Sequence, residues 1–479
     1  MRFSLWGKAL AIGAIVGVLT MVLARIGFLV DERRGRQQEA IQSVQQSQAG
    51  AQAVLGPWLH RRCVEEWEVE VGEGKERRLQ TERREFRLQQ APQSLTVKSF
   101  ATTEPRYRGL FKVNGFLGRL DMSAQWANLA SLEPERSVKG SRLTCDSVQL
   151  MVAVADTRGV QRAELKLNGQ ALAVSAGTEH PQYPRGLHAA FDLAQGPLAA
   201  ELSMDLRGTS RLEVVPAAAQ VEWDLRSDWQ HPSFGGRFLP VQREVTPEGF
   251  HALWRVSELA SSAARDVSKS GLLCPADTAG GAAMGGGMES DDAAADDNGL
   301  PRAARDVRCL DTLAVSFIDP INPYVLADRA VKYGLLFVTL TFVAVALTEV
   351  LARSRVRRVH PVQYALVGLA LSLFFMLLLA LSEHLKFEVA YVAASVACAG
   401  VLAMYGSHML GGWRAGSAFG AALGGLYGLL YVLLTREQTA LVVGTLGLFA
   451  LVAAVMMLTR RVDWYRLFDD LSAPRARAE

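Results

Sequence analysis

Glu349, His360, Glu383, His384 and His408 stand in or beside long apolar runs, and each is a residue type that ligates metals or carries protons. Charge at membrane depth is a functional candidate by default, because hydrocarbon tolerates it only when it is paired or in use. A shared metal site or proton relay would need these side chains together. His360 and His384 lie 24 positions apart (384 − 360) in nearly continuous helix, about 36 Å at the standard rise. They therefore belong at opposite faces of a bilayer. Glu349, His360 and His408 are expected at the inner face, and Glu383 with His384 at the outer one. The plainer role for both groups is interfacial anchoring or pairing with Arg and Lys. Arg329 and Lys332, just before the second apolar run, are candidate partners for Glu383 or Glu388. Such pairs would couple a soluble part of the chain to its helices.

Other chemistry is weaker. His231-Pro232-Ser233-Phe234 holds a Ser and a His, but without a nucleophile elbow or a supporting Asp in triad order. Gly and Pro density reads this segment, and Asp156-Thr157-Arg158-Gly159, as loops between strands. Asp291, Asp292, Asp296 and Asp297 lack the spacing of a calcium loop. There is no Walker loop, dinucleotide fingerprint, zinc-spaced cysteine set or kinase motif, so neither a cofactor, a metal nor a catalytic residue is assigned.

Positioning elements follow from composition. The 479 residues are 50% hydrophobic and 21% charged, with the charge concentrated in the first two thirds. A net charge of +3 implies no strong field for polyanions, so nucleic acid is not an expected partner. Ala9–Val30 is apolar apart from Arg25, follows Arg2 and Lys8, and lacks a small-x-small cleavage site, which reads as an uncleaved signal anchor. Further spans are expected at Tyr333–Ala352, Val362–Ser382, Val389–His408, Gly416–Thr435 and Ala440–Thr459, because about 20 apolar residues cross a hydrocarbon core. Glycines at Gly412, Gly416, Gly420, Gly424 and Gly428 predict close packing of the fifth helix.

Arg353, Arg355, Arg357, Arg358, Arg414 and the tail arginines mark the inner side, which places both termini in the cytoplasm and the segment after the first helix in the periplasm. Arg33, Arg34 and Arg36 dissent, but long domains translocate largely regardless of charge. The expected domains are an anchor helix (1–30), a periplasmic β-rich domain (31–332), a five-helix transmembrane bundle (333–459) and a cytoplasmic tail (460–479).

Within the outer segment, Asp31–Leu55 is read as a continuation of the first helix. Period-two runs such as Glu68–Val71, Leu165–Leu167, Leu212–Val215 and Val221–Leu225 predict strands of an all-β, sandwich-like domain. The Gly- and Asp-rich stretch at about 270–306 is read as a disordered surface insertion. Four cysteines fall in this oxidising compartment, with three possible connectivities. Cys63–Cys145 with Cys274–Cys309 is preferred, since the second pair brackets the insertion.

Several long motifs resemble the inner membrane CreD family, also described as colicin E2 tolerance or cell envelope integrity proteins. They include Arg329-Ala330-Val331-Lys332-Tyr333-Gly334-Leu335-Leu336-Phe337, His360-Pro361-Val362-Gln363-Tyr364, Leu381-Ser382-Glu383-His384 and Met457–Tyr465. Outside the apolar runs, Tyr107-Arg108-Gly109, Asp156-Thr157-Arg158-Gly159 and Trp229-Gln230-His231-Pro232-Ser233-Phe234 are similar as well. His60-Arg61-Arg62-Cys63 departs from the family pattern, and so does the insertion. The resemblance implies a role in envelope stress, colicin tolerance and β-lactam response. An envelope protein, contacted by the outer domain, is the expected partner besides the lipid bilayer. It implies no enzymatic activity and no cofactor. The competing reading is a transporter or channel component built on Glu349, His360 and His408.

Overall fold

The computed structural model describes residues 5–71, 78–193, 195–269, 271–274, 309–319, 322–351, 359–435 and 440–460. The insertion, the arginines Arg353–Arg358 and the tail beyond Arg460 lie outside the described residues. Two compact units result, Met1–Gln38 with Ile321–Glu479, and Glu39–Pro320.

The helices are α1 (Leu5–Ser47), α2 (Ala263–Ser268), α3 (Pro323–Lys332), α4 (Gly334–Leu351), α5 (Pro361–Ser382), α6 (Phe387–Met409), α7 (Trp413–Thr435) and α8 (Ala440–Thr459). Among the described residues, four helices are long and apolar enough to cross a membrane: Leu10–Ser47, Pro361–Ser382, Phe387–Met409 and Trp413–Thr435. The pair Pro323–Lys332 and Gly334–Ala346 makes a fifth crossing if it is one span, bent by 43°. The predicted second span is thus preceded by a separate amphipathic helix of 10 residues. The break follows from polar Asp328, Arg329 and Lys332 giving way to Gly334, a poor helix former that opens the apolar run.

The helical unit has its own core, in which Leu19, Leu23 and Ile26 of α1 pack with Phe337, Phe342, Phe374, Tyr391 and Tyr427. Several of its hydroxyls are satisfied internally, as hydrocarbon demands, although Ser395 Oγ has no hydrogen-bond partner among the described residues. Tyr391 donates to the Tyr427 carbonyl at 2.7 Å, and the Tyr427 hydroxyl lies 3.1 Å from the Cys398 sulfur. The glycine series does less than its regularity predicts. At Gly416 and Gly420 a Cβ would collide with Ala403 and Ser407 of α6, whereas Gly412, Gly424 and Gly428 face nothing within 4 Å. A spacing of four drifts about 40° per step, so the stripe leaves the α6 contact after two members.

The strands of the second unit are β1 (Gln52–Val71), β2 (Arg78–Gln90), β3 (Ser94–Arg108), β4 (Phe111–Trp126), β5 (Arg142–Cys145), β6 (Val148–Val154), β7 (Val160–Leu167) and β8 (Gln170–Leu172). Then come β9 (Ser175–Ala176), β10 (Gly186–Phe191), β11 (Leu198–Thr209), β12 (Arg211–Val214), β13 (Gln220–Ser227), β14 (Ser233–Gly236), β15 (Gln242–Thr246), β16 (Gly249–Ser257) and β17 (Leu313–Ser316). One sheet runs β14-β17-β12-β1-β6-β10-β9, with β2 and β5 also on β1; the other runs β15-β16-β13-β3-β4-β11-β7-β8. Both are mixed, since β1 pairs with β12 and β3 with β13 in parallel.

Period-two sequence explains the layers: β4 and β13 bury alternate residues, and their inward side chains meet Val54, Leu150, Val152 and Leu212 of the other sheet. Trp223 stacks on Trp254 at 4.5 Å, and their indole N–H groups donate to Ser99 Oγ and to the Phe238 carbonyl. The opposite face of the first sheet is also covered, because Leu55, Trp58 and Met151 pack with Ala263 and Val267 of α2 and with Leu310.

Two predictions fail here. Helix α1 ends at Ser47, and Leu55 belongs to β1. Gln52 to Leu59 is an unbroken buried run, which fits a strand covered on both faces better than a helix standing in water. Ser233–Gly236, read as loop, is a strand on β17, with Phe234 packed against Phe250 and Trp254. Disulfides join Cys63 to Cys145, directly opposite each other on β1 and β5, and Cys274 to Cys309.

Buried polar groups in this unit are held in two contrasting ways. Glu65 is 0% exposed and accepts from Ser137 N and Oγ, Val138 N and Ser141 Oγ at 2.5–3.1 Å. Those donors, the serine hydroxyls first, lower its pKa to about 2. His60 and His180 are buried with ring centroids 5.2 Å apart. His60 bridges the Thr178 carbonyl and the Arg87 guanidinium, while neither ring nitrogen of His180 has a hydrogen-bond partner among the described residues. Burial, and then the neighbouring positive charge, lowers His60 to about 4 and His180 to about 3.

The signs define two acid steps. Both histidines fold neutral, so their contribution is intact above about pH 6.5 and is lost as pH falls towards 4 and then 3, where the folded state accepts the protons. Glu65 folds ionised, so its contribution is present above about pH 4.5 and is lost towards 2. Replacing His180→Phe keeps the stack on Tyr183 and removes one titrating group. Melting curves of the full chain should show the variant stabilised by about 2 kcal/mol near pH 5 and less so at pH 8. An unchanged pH profile would reject this account.

Candidate functional site

The ionisable residues of the helical unit fall into two clusters. At one end Glu349, in the last turn of α4, receives both carboxylate bonds from Lys8 Nζ of α1 at 2.7 Å. The Tyr364 hydroxyl of α5 donates to the same carboxylate at 3.4 Å, and Lys8 lies 5.6 Å from the Tyr364 ring centre. This is a charge pair joining three helices, in which each ion partly neutralises the other at a depth where a lone charge is costly.

His360 caps α5. Val362 N donates to His360 Nδ1 at 3.3 Å, Gln363 Oε1 accepts from His360 N at 2.9 Å, and Pro361 fixes the first helical φ. His408, in the last turn of α6, places Nδ1 3.2 Å from both Ser407 Oγ and the Met404 carbonyl. No group of three His, Cys, Asp or Glu residues suited to a metal ion occurs among the described residues.

At the other end, the expected pairing of Lys332 with Glu383 or Glu388 is replaced by a different one. Glu383 caps the C-terminus of α5 and pairs with Arg33 of α1 at 3.3 Å. Lys332 pairs one turn back on α3 with Asp328 at 2.9 Å, and Arg34 approaches the same carboxylate at 3.8 Å. The i, i+4 neighbour lies on the same helix face, so Lys332 reaches it without crossing to another element. Asn322 ties the start of α3 to Gln37 through a 3.0 Å amide bond. Arg329 stands on the same helix, and His384 is exposed in the turn after Glu383. The three dissenting arginines thus have a local explanation: Arg33 and Arg34 are balanced by carboxylates of this collar, and Arg36 by Glu32 at 2.6 Å.

In the β unit, Asp156 and Arg158 form a clamp on the end of α1. A helix leaves its last four carbonyls without intrahelical partners. The Arg158 guanidinium donates to the Gln45 carbonyl at 3.1 Å and also to the Gln46 carbonyl. Asp156 orients that guanidinium at 2.6 Å through Nη2 and accepts from the Gly50 amide at 3.1 Å. Burial pushes the Asp156 carboxyl up, but these donors outweigh it and hold it below the ordinary aspartate value. Gln52 bridges the Asp156 and Arg207 carbonyls at 3.0 Å each, and Thr209 donates to Ala49. At Gly159 any Cβ would overlap Gln52 and the Arg207 carbonyl.

The sequence flagged Asp156-Thr157-Arg158-Gly159 only as a loop. Its spacing contained the signal, because an Asp two residues before an Arg at a turn is set to hold that Arg. The Glu65 cradle and the His60–His180 pair had no local signal, since their partners come from distant segments.

Substituting Arg158→Ala should cost roughly 1–3 kcal/mol, because two charge-assisted bonds to helix carbonyls are lost. Hydrogen exchange should then speed up over Gln48–Gly50 while α6 amides are unchanged. Uniform acceleration, or none, would show that the clamp does not hold the helix end.

Comparison with known proteins bears on the family. The family model described as inner membrane protein CreD matches residues 4–465. The chain is 30% identical over 464 residues to the inner membrane protein CreD of Escherichia coli (strain K12), covering 96% of this chain and 93% of that protein. Among solved structures, an M1 zinc metallopeptidase of Deinococcus radiodurans bound to a Tyr-Ser-Ala substrate aligns with 34% of this chain and 38% of its own, at 9% identity and a TM-score of 0.20, too low to carry an argument. The chain belongs to the CreD family of inner membrane proteins.

Proposed function

We propose that this chain is a non-enzymatic, six-span protein of the bacterial inner membrane that maintains or reports the state of the cell envelope. Both termini lie in the cytoplasm and the β unit lies in the periplasm. The reading draws on the arginines of the short loops and on the two disulfides, which persist in an oxidising compartment. The envelope role, including colicin tolerance and β-lactam response, is what the resemblance to the family implies, and an envelope protein is the partner proposed for the periplasmic unit.

The observation that favours it most is the clamp on α1. That helix contributes residues to both compact units and is gripped at its C-terminal end by Asp156 and Arg158. A partner that loosened or tightened the grip would act on a helix whose apolar part packs in the transmembrane core. The competing transport reading rests on the Lys8–Glu349 pair, a charge at membrane depth.

Two measurements test the reading. A reporter fused at Leu259, which is 94% exposed, should be active only if exported. Activity confined to the cytosol would end the proposal. In a strain lacking the native chain, Arg158→Ala should fail to restore β-lactam or colicin phenotypes. Lys8→Met/Glu349→Met, His360→Ala and His408→Ala should restore them, since removing both charges leaves neither ion unpaired. The opposite pattern would favour transport.

A further inference from the structure

The histidine pair of the β unit belongs to neither the clamp nor the collar, and its geometry admits only the neutral form of both rings. Arg87 Nη1 lies 2.8 Å from His60 Nδ1, and a guanidinium can only donate. Nδ1 therefore accepts, and Nε2 carries the proton that goes to the Thr178 carbonyl at 2.9 Å. A second proton on Nδ1 would set donor against donor and bring positive charge up to a fixed cation. His180 stands edge-on to His60 at 5.2 Å and stacks on Tyr183 at 5.1 Å. It is 2% exposed, and neither ring nitrogen has a partner among the described residues. An imidazolium there would be a buried charge without an acceptor.

The other groups facing the pair do not supply one. Arg87 of β2 is a cation, and His188 of β10 turns its Nδ1 to the Gly177 carbonyl at 2.9 Å. Arg62, Glu85, Asp146 and Glu179 surround Arg87, and Asp266 of α2 faces Tyr183.

The segment that would have to move lies between Gly177 and Gly186. Gly177 N donates to the Gly186 carbonyl at 2.9 Å, which closes the base of a loop whose two ends hold φ of +83° and +147°. Residues 178–185 contain no strand, so they can open without breaking a sheet ladder. His60 fastens the Thr178 carbonyl, Arg87 the Glu179 carbonyl at 3.0 Å, and the Tyr183 hydroxyl donates to the Gly271 carbonyl at 2.6 Å. Tyr183 is thereby held in the apolar layer of Leu55, Trp58, Met151, Val267 and Leu310.

We propose that residues 178–185 form an acid-opened flap. It is closed while His60 and His180 are neutral and lifts on its glycine base when they take up protons, withdrawing Tyr183 from Gly271 and uncovering the apolar layer beneath. Each histidine that regains its ordinary value near 6.5 in the open form raises the open population about 30-fold between pH 8 and pH 5. Use of the flap as an acid sensor of the envelope rests on the periplasmic placement proposed above; the opening itself does not.

The test is oxidation of Met151 by hydrogen peroxide in the purified full chain in detergent, followed by mass spectrometry at pH 5 and pH 8. Met151 is 0% exposed beneath the flap, and Met122 and Met204, buried in the sandwich core, report opening of the whole unit. Met151 should oxidise much faster at pH 5, with Met122 and Met204 unchanged. His180→Phe, which retains the stack on Tyr183, should slow Met151 at pH 5 about 30-fold relative to the unsubstituted chain, and less at pH 8. Tyr183→Phe, which removes only the Gly271 bond, should speed Met151 at both pH values. A Met151 rate independent of pH would overturn the proposal. So would an equal pH response in His180→Phe, no acceleration in Tyr183→Phe, or acid acceleration of Met122 and Met204 in step with Met151.

Discussion

A helix that ends inside a folded domain must hand its last carbonyls to something, and here they go to Arg158. The guanidinium is positively charged, planar and held by Asp156, and it meets the negative end of α1. Much else depends on this grip. Gly50, Gln52 and Thr209 are tied into the same knot, and Gln52 opens the strand at the centre of the larger sheet. β1 therefore begins where α1 is fastened. The strand then passes a register break between Leu55 and Trp58 before Cys63 meets Cys145, eleven residues after Gln52 (63 − 52).

The two ends of the helical unit show different solutions to the same cost. At Lys8 and Glu349, opposite charges meet at 2.7 Å with a tyrosine hydroxyl attached, so neither ion stands alone. At Arg33, Arg34, Asp328 and Glu383 the separations are longer and the arginines more open than Lys8, although Glu383 is more buried than Glu349. The first arrangement is a fastener between helices. The second is a collar that ties α1 to α3 and to the end of α5.

The sequence made the large features legible because they are periodic. Apolar runs of hydrocarbon length are helices, and runs such as Leu165–Leu167 and Val221–Leu225 are strands. Its failures have physical causes. Leu55 was assigned to the helix because a strand buried on both faces loses the alternation that marks strands. Ser233–Gly236 was read as a loop because its pairing partner, Leu313–Ser316, lies 80 residues away (313 − 233) and local composition cannot show it. The Lys332 assignment failed because a one-turn neighbour on the same helix is reached at less entropic cost than a residue on another. The candidate histidines were not given their roles, since capping by His360 depends on its ring accepting from Val362 N, a bond that exists only once α5 has formed.

The bridge between Cys274 and Cys309 spans a sequence separation of 35, yet its Cα atoms are 5.5 Å apart, and Leu272 pairs with Cys309 beside it. The points where the chain leaves at Cys274 and returns at Cys309 are therefore fastened side by side. A cut by an envelope protease between the two cysteines would leave the fragments covalently joined, so β17 would stay tethered to the rest of the unit.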